Sequence, residues 1–435
     1  MIKIKKSLRM YVPLLLIFAM VSFAEAAEPM DIKGAIERVL KQNASLLSLR
    51  QEAAKAAAFK IQADGTLTPE LGVSAYQDIQ RENQTTDGSN RTDGRTAKIA
   101  LVQTIYSGGR NSALRRQSAQ VKSIADLSLL DGENKVVGEL FARFYNVLLQ
   151  EKRVETERSA IKTSELHLRE ITKMGELGLA NRLEVIRADQ QLAKNRADLT
   201  TAQGLYESSV LSLMNYMGVA PEDRRRVSGK IQVIDVKGCR EDSLVLAMQN
   251  RADKSIIEQQ LAYQKNQMEI ERSGMRPKVS LGAAASYQDP YRGNDKGSDT
   301  WRAELSITVP ILDRGVTQSN VMRAGAAIEQ YRIALDQKLL DVKTGVETAW
   351  MEIETTLEQM KSTKRALALA EETLRLAEIG FQEGVTPQLD LLSAQTSLTE
   401  ARLEHQRSLY NHTLAVVALK VTEGNIISWT EEMDF

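Results

Sequence analysis

The sequence predicts a mainly α-helical protein with β structure: long antiparallel coiled-coil helices form the wall of a tube, joined to a transmembrane β-barrel to which each chain gives four strands. Three observations carry this. Two stretches free of helix breakers, residues 111–174 and 316–379, would each form a helix on the order of 100 Å long, several times the diameter of a small domain. Short segments near 71–105 and 279–309 alternate with the period of strands. The pattern of both kinds recurs at an offset of 206 positions.

In chain order, the first element is a leader. MIKIKKSLRM is basic, YVPLLLIFAMVSF is apolar, and Ala24-Glu25-Ala26 is a small-x-small cleavage site, so residues 1–26 read as a secretory signal peptide. The apolar run falls short of the roughly 20 residues a spanning helix needs. Removing the leader leaves 53 basic and 56 acidic residues, a net charge of −3, and nothing in that balance implies a nucleic-acid partner. Cys239 is the only cysteine, so an exported chain of this length must be held by packing or assembly, without an internal disulfide framework. No later segment is apolar for about 18 residues, so any entry into a membrane must use strands.

Residues 27–236 and 237–422 read as two copies of one unit, with 423–435 as a C-terminal tail. Each unit opens with a helix, about Asp31–Ala63 and Glu241–Ser273. A hairpin follows. In VSLGAAASY, Val279, Leu281, Ala283, Ala285 and Tyr287 alternate with polar or small residues, and in WRAELSITV, Trp301, Ala303, Leu305, Ile307 and Val309 do the same. The first unit repeats this with Leu71, Val73 and Ala75, then Ala97, Ile99, Leu101 and Ile105 against Lys98 and Thr104. Strands of about 9–11 residues suit a bilayer-crossing barrel, apolar outward and polar inward. The polar segments 81–95 and 290–299 read as exposed loops. Tyr76, Tyr287, Tyr291 and Trp301 lie near strand ends, where aromatic residues favour the lipid–water interface. Four strands cannot close a barrel, which needs about eight, so the chain must oligomerise if it enters a membrane.

The long helices come next, and their seams keep register. Leu140, Val147, Val154, Ile161 and Leu168 fall seven apart, and the same offset gives Val346, Ile353, Met360, Leu367 and Leu374. The helices stop at two related tips, ELGLANRLEVIRADQ (176–190) and EGVTPQLDLLSAQ (383–395), where Gly178 matches Gly384, Leu183 matches Leu389, Glu184 matches Asp390 and Val185 matches Leu391. Gly178 and Gly384 permit the tight reversal into the returning helices, about Leu183–Met217 and Pro387–Val421.

With these residues in view, the chain resembles a TolC-type outer-membrane efflux channel over nearly all of its mature length. The likeness rests on the strand-to-helix corners LVQTIYSGGR (101–110, with Gly108 and Gly109) and ITVPILDRG (307–315, with Pro310 and Gly315), on the tips GLANRLEV and GVTPQLDLLSAQ, and on the duplicated element order. The resemblance implies a homotrimer with a twelve-stranded barrel in the outer membrane and a helical tunnel through the periplasm. It implies an exit duct of a tripartite efflux system, passively exporting small molecules with an inner-membrane transporter and a periplasmic adaptor protein. The adaptor would meet the tips around Gly178, Leu183, Glu184, Gly384, Thr386, Leu389 and Leu391. Asp390 falls where the family places an acidic residue in the pore constriction; one turn later, where some members carry a second aspartate, this chain has Ser393. The residues themselves leave open a second role for Asp390, capping the helix that starts near Pro387 or sitting in its favourable first turn.

Other candidates are weaker. His405 and His412 share a helix face but stand about 10 Å apart along the axis, too far to ligate one ion unaided. His167 has no partner suggested by sequence, and Arg224-Arg225-Arg226 reads as a solvated connection. No nucleophile, metal-ligand or phosphate-loop spacing occurs, so neither enzymatic activity nor a cofactor or metal is expected. Two alternatives stand beside the efflux duct: the outer-membrane duct of a type I protein secretion system, which the same tube would serve, and a soluble periplasmic coiled-coil scaffold.

Overall fold

The computed structural model describes residues 30–84, 88–220, 226–231, 233–236, 238–290 and 297–432. The expected signal peptide, Tyr291, Arg224 and Arg225 lie outside the described residues. Helices α1 (Ile32–Gln42) and α2 (Ala44–Gly65) lead into strands β1 (Glu70–Gln84) and β2 (Gly88–Ser107), the long helix α3 (Arg110–Glu176) and its return α4 (Arg182–Tyr216). The same order follows in α5 (Arg240–Asn250), α6 (Ala252–Arg272), β3 (Lys278–Pro290), β4 (Ser298–Thr308), α7 (Val316–Gln382) and α8 (Gln388–Glu423). A last helix, α9 (Ile426–Glu432), seats Ile426 in the core, so the expected tail is a packed element.

Helices α3 and α7 are each 67 residues long, and each starts from a glycine in the left-handed region, Gly109 at φ 91° and Gly315 at φ 80°. Along α3, α2 covers one end and α4 the other; α6 and α8 occupy the corresponding places between α3 and α7. The shorter helices meet end to end. The Asn43 side-chain amide donates to the Tyr216 carbonyl, while Gly218 lies so close to Gln42 that an added Cβ would stand 2.8 Å from its carbonyl oxygen. At the other junction a Cβ on Gly424 would stand 3.0 Å from Asn250.

These junctions correct the expectation of one continuous opening helix in each unit. The helix breaks at Asn43 and at Arg251, both extended, because the end of α4 or α8 abuts the chain there. Asn43 then caps α2, accepting from the Ser45 and Leu46 amides. Nothing in the local sequence forbids helix at these positions; the tertiary contact does.

The apolar core is concentrated at the level of these junctions, where Phe141, Phe144 and Leu140 of α3 pack with Val39, Met214, Met217 and Ile426. Towards the tips the heptad seam is less covered, while Ile171, Leu192, Leu391 and Leu392 stay buried beside it. Leu140, Val147 and Val154 are buried, as are Val346 and Ile353, whereas Ile161, Leu168, Met360, Leu367 and Leu374 are half-buried.

The strands form one antiparallel sheet in the order β1-β2-β3-β4. Two expectations change. Pairing of β1 with β2 runs out to Gln84 opposite Gly88, so most of the segment 81–95 is strand, its backbone held in the ladder. The alternation of β2 also breaks near its end: a bulge sets Thr104 and Tyr106 against successive residues of β3 and leaves Ile105 as the extra one. Elsewhere the register gathers Leu71, Val73, Ile99, Leu101, Leu281, Trp301, Leu305 and Ile307 on one face. Tyr287 and Trp301 lie on that face and are exposed by 53% and 83%. Tyr76 pairs with Thr96 and points to the opposite face with Lys98 and Ser74, because it is one residue out of phase with Ala75. It therefore drops out of the proposed lipid-facing aromatic set.

Candidate functional site at the hairpin tips

The two tips are one backbone motif built twice. After α3 the Leu179 amide donates to the Met174 carbonyl at 2.8 Å and the Ala180 amide to the same carbonyl at 3.2 Å; after α7, Val385 and Thr386 donate to Gly380 at 2.8 and 2.9 Å. Gly178 at φ 75° and Gly384 at φ 72° supply the left-handed residue that this helix ending requires. Both glycines are exposed, with open space where a side chain would go.

The returning helices begin differently. Asn181 caps α4, its side chain accepting from the Glu184 amide while the Glu184 carboxylate accepts from the Asn181 amide, a reciprocal capping box. Glu184 is thus engaged within its own turn and is half-buried. Helix α8 starts at Pro387 without a side-chain cap, and Asp390 sits exposed in its first turn. The local reading of Asp390 resolves accordingly: it carries first-turn negative charge at the positive end of the helix and does not cap it. Ser393 is exposed one turn later on the same side.

Large apolar side chains crowd these turns and face solvent. Leu177, Leu179 and Val385 are exposed by 74%, 73% and 78%, and Leu183, Ile186 and Leu389 by more than half. Exposed apolar side chains gathered in this way are a feature of interaction surfaces. Leu391 does not belong to it. It is buried at 3% exposure, so it holds the hairpins together rather than presenting a contact, because it falls on the inward face of α8.

Sequence reasoning missed the polar groups that join the hairpins. Gln388 and His167 are both buried at 4% exposure. The Gln388 amide donates to the Glu184 carbonyl at 2.8 Å and lies 3.3 Å from the His167 Nε2, so one side chain of α8 ties α3 to α4. The His167 ring packs edge-on against Phe381. Higher up, the Thr356 and Thr363 hydroxyls of α7 pair with Nδ1 of His412 and His405 of α8 at 3.2 and 3.3 Å, so these histidines hold one hairpin. Burial lowers the pKa of all three imidazoles; Glu170 opposes the shift at His167, and Asp235 with the Ile234 backbone opposes it at His412, while Lys364 adds to it at His405. Between the hairpins lies a polar cavity of about 300 Å³ into which Glu157, Lys194, Asn195 and Gln395 project. Burial and Asp198 push the Glu157 carboxyl above its ordinary range against the pull of Arg153 and Lys194. No sequence spacing signals these pairs, since their members are 42, 56 and 221 residues apart.

At the other end, Gly108 and Gly109 make the first corner, where the Arg276 guanidinium donates to the Gly108 carbonyl at 3.0 Å. Pro310 follows β4, and the second corner closes with Arg314 at φ 54° before Gly315. The Asp313 carboxylate accepts from the Gly315 and Thr317 amides there, at 3.0 and 2.7 Å. Among the described residues no cluster of three or more His, Cys, Asp and Glu side chains is arranged to hold a metal ion.

The chain was compared with known proteins. The model of the family described as "Outer membrane efflux protein" matches residues 35–219 and 244–425. The cobalt-zinc-cadmium resistance protein CzcC of Cupriavidus metallidurans is 22% identical, covering 88% of this chain and 87% of its own. The outer membrane protein TolC of Escherichia coli is 21% identical, covering 84% and 76%. The crystal structure of the Campylobacter jejuni CmeC outer membrane channel shares the fold, with a TM-score of 0.80 at 16% identity over 91% of this chain and 86% of that one.

Proposed function

Since this chain belongs to the outer membrane efflux protein family, we propose that it is the outer-membrane exit duct of a tripartite efflux system, closed by three copies and passing small molecules outward without catalysis. The observation that carries the reading is that every layer of the protomer ends in an open edge. Among the described residues the sheet leaves β1 and β4 unpaired on their outer sides, and the helical layer ends in α7 on one flank and in α2 and α4 on the other. A strand edge exposes donors and acceptors that demand a partner, and closing the sheet on itself through further copies supplies one. The apolar face of the sheet would then meet lipid, and the helices would continue the tube into the periplasm.

The exposed leucines of the two tips fit the contact with a periplasmic adaptor, itself joined to an inner-membrane transporter that supplies the energy. Efflux is favoured over protein secretion by the family's description and by the resistance role in the name of CzcC. Asp390 and Ser393 are assigned to the pore side of α8. Three copies of Asp390 around an axis would attract cations and resist anions.

The test is conductance in a planar bilayer with unequal salt on the two sides, using the mature protein extracted from outer membranes. A long-lived, cation-preferring conductance is expected, with the preference reduced in Asp390→Asn. Unchanged selectivity in that variant would remove Asp390 from the pore. Recovery of the protein without detergent would return the scaffold.

A further inference from the structure

The face of the sheet opposite the apolar one carries an ordered charge pattern. Strand register places Ser74, Lys98, Ser286 and Thr300 in one row and Gly72, Ala100, Ala284 and Arg302 in the next. Glu70, Val102, Gly282 and Glu304 make a third row, one step closer to the helices, and Ser280 with Ser306 and Lys278 with Thr308 continue the same face beyond it. Along β3, Gly282, Ala284 and Ser286 are half-buried while Leu281, Ala283, Ala285 and Tyr287 are exposed, which makes this the sheltered, concave side.

The side-chain sizes shape a site there. A hollow of about 290 Å³ is floored by Ala100, Gly282 and Ala284 and rimmed by Lys98, Arg302 and Glu304. By strand and residue spacing, the Lys98 and Arg302 backbones stand about 12 Å apart, across the strand that bears Ala284. Two long cationic side chains of that separation converge over a floor of methyl groups and hydrogens. Both are exposed, and neither has an ion-pair partner among the described residues.

We propose that Lys98 and Arg302 form an anion way-station on the inner wall of the barrel, receiving the carboxylate, sulfonate or phosphate group of a solute on its way out. The inference rests on the duct reading, which makes the concave face a water-filled lumen. Arg302 and Lys98 supply the two charges, and the guanidinium fork offers paired donors to two oxygens of any of these groups. Glu304 and Glu70, one row toward the helices, repel an anion that has passed them and so hold it at the cationic rows. With three copies the barrel becomes selective in the sense opposite to a constriction lined by Asp390.

Thiol chemistry at the floor tests this without needing an open tip. In a Cys239→Ser background, Ala284→Cys is exposed in isolated outer membranes to a sulfonate-bearing and a trimethylammonium-bearing methanethiosulfonate. The sulfonate is expected to react faster by on the order of tenfold, the low end of electrostatic focusing in a charged cleft. The ratio should fall toward one in Lys98→Gln with Arg302→Gln, and Arg302→Lys alone should keep it, which separates charge from folding. Equal rates for both reagents before and after those substitutions would overturn the proposal. The duct reading has its own control: Ala283→Cys, on the apolar face, should be silent in membranes, and reaction there as fast as at Ala284→Cys would show that the sheet is not in lipid. Silence at both positions would deny a wet lumen and overturn both.

Discussion

Gly108 and Gly384 both hold positive φ, at 66° and 72°, but the chain needs glycine at the first for two reasons and at the second for one. A Cβ at Gly108 would stand 2.6 Å from the Arg276 Cβ and 3.2 Å from the Ser273 carbonyl, whereas nothing lies within 4 Å at Gly384. Gly384→Ala should therefore cost only the left-handed strain of about 1–2 kcal/mol. Gly108→Ala adds overpacking against backbone, and a total of about 2–5 kcal/mol is expected. Denaturant unfolding of the detergent-solubilised protein measures both, and equal losses would mean that the corner relaxes around the methyl group. Both glycines were legible in the sequence because each sits in a turn-rich break between long periodic segments. Arg314, at φ 54°, was not: its left-handed conformation is held by the Asp313 carboxylate on the Gly315 and Thr317 amides, and an Asp two residues before a Gly gives only a weak sign of that.

At the scale of elements, the apolar seams that define the hairpins are periodic and could be read directly; the polar ties that cross them could not. The seam gives each helix its partner face, and between the core and the tips most of its residues are only half-buried. There the Thr356–His412, Thr363–His405 and His167–Gln388–Glu184 contacts add direction to the packing. Their pH dependence has a definite sign. Burial lowers each imidazole's folded-state pKa below its ordinary value near 6.5, so the folded state binds fewer protons than the unfolded one in that window. The stability from neutral histidine is therefore complete above about pH 6.5 and is lost as pH falls through that value toward the folded pKa values. Amide exchange at residues 382–392 should accelerate between pH 7.5 and 5.5 beyond its intrinsic pH dependence, and His167→Gln should remove part of the excess. Exchange that follows the intrinsic rate alone would show that the tips do not sense these histidines.

At the scale of the whole molecule, the two 67-residue helices and the single four-stranded sheet were legible in the sequence, and both argue for the proposed assembly: four strands are too few for a barrel, and helices near 100 Å cannot fold back into a globule. The breaks at Asn43 and Arg251 were hidden because they arise only when the ends of α4 and α8 arrive from far along the chain. For the proposed assembly, exposure singles out the surfaces through which copies would meet. On α7, Met322, Ile333, Leu340, Met351, Leu369 and Leu376 are separated by 11, 7, 11, 18 and 7 residues and each is more than half exposed among the described residues, a single apolar stripe ~80 Å long. The opposite flank offers Leu47 and Ile61 on α2 and Leu205 on α4 as apolar partners. Leu340→Glu places a carboxylate at the middle of that stripe, where the proposed interface would have to desolvate it. The expected result is a chain that still folds, with unchanged helix content by circular dichroism, but that runs as a monomer in native mass spectrometry from detergent. Wild-type-like trimers in the double variant Leu340→Glu with Met351→Glu would place the stripe away from the subunit interface, and the closure of the tube would then have to rest on the strand edges alone.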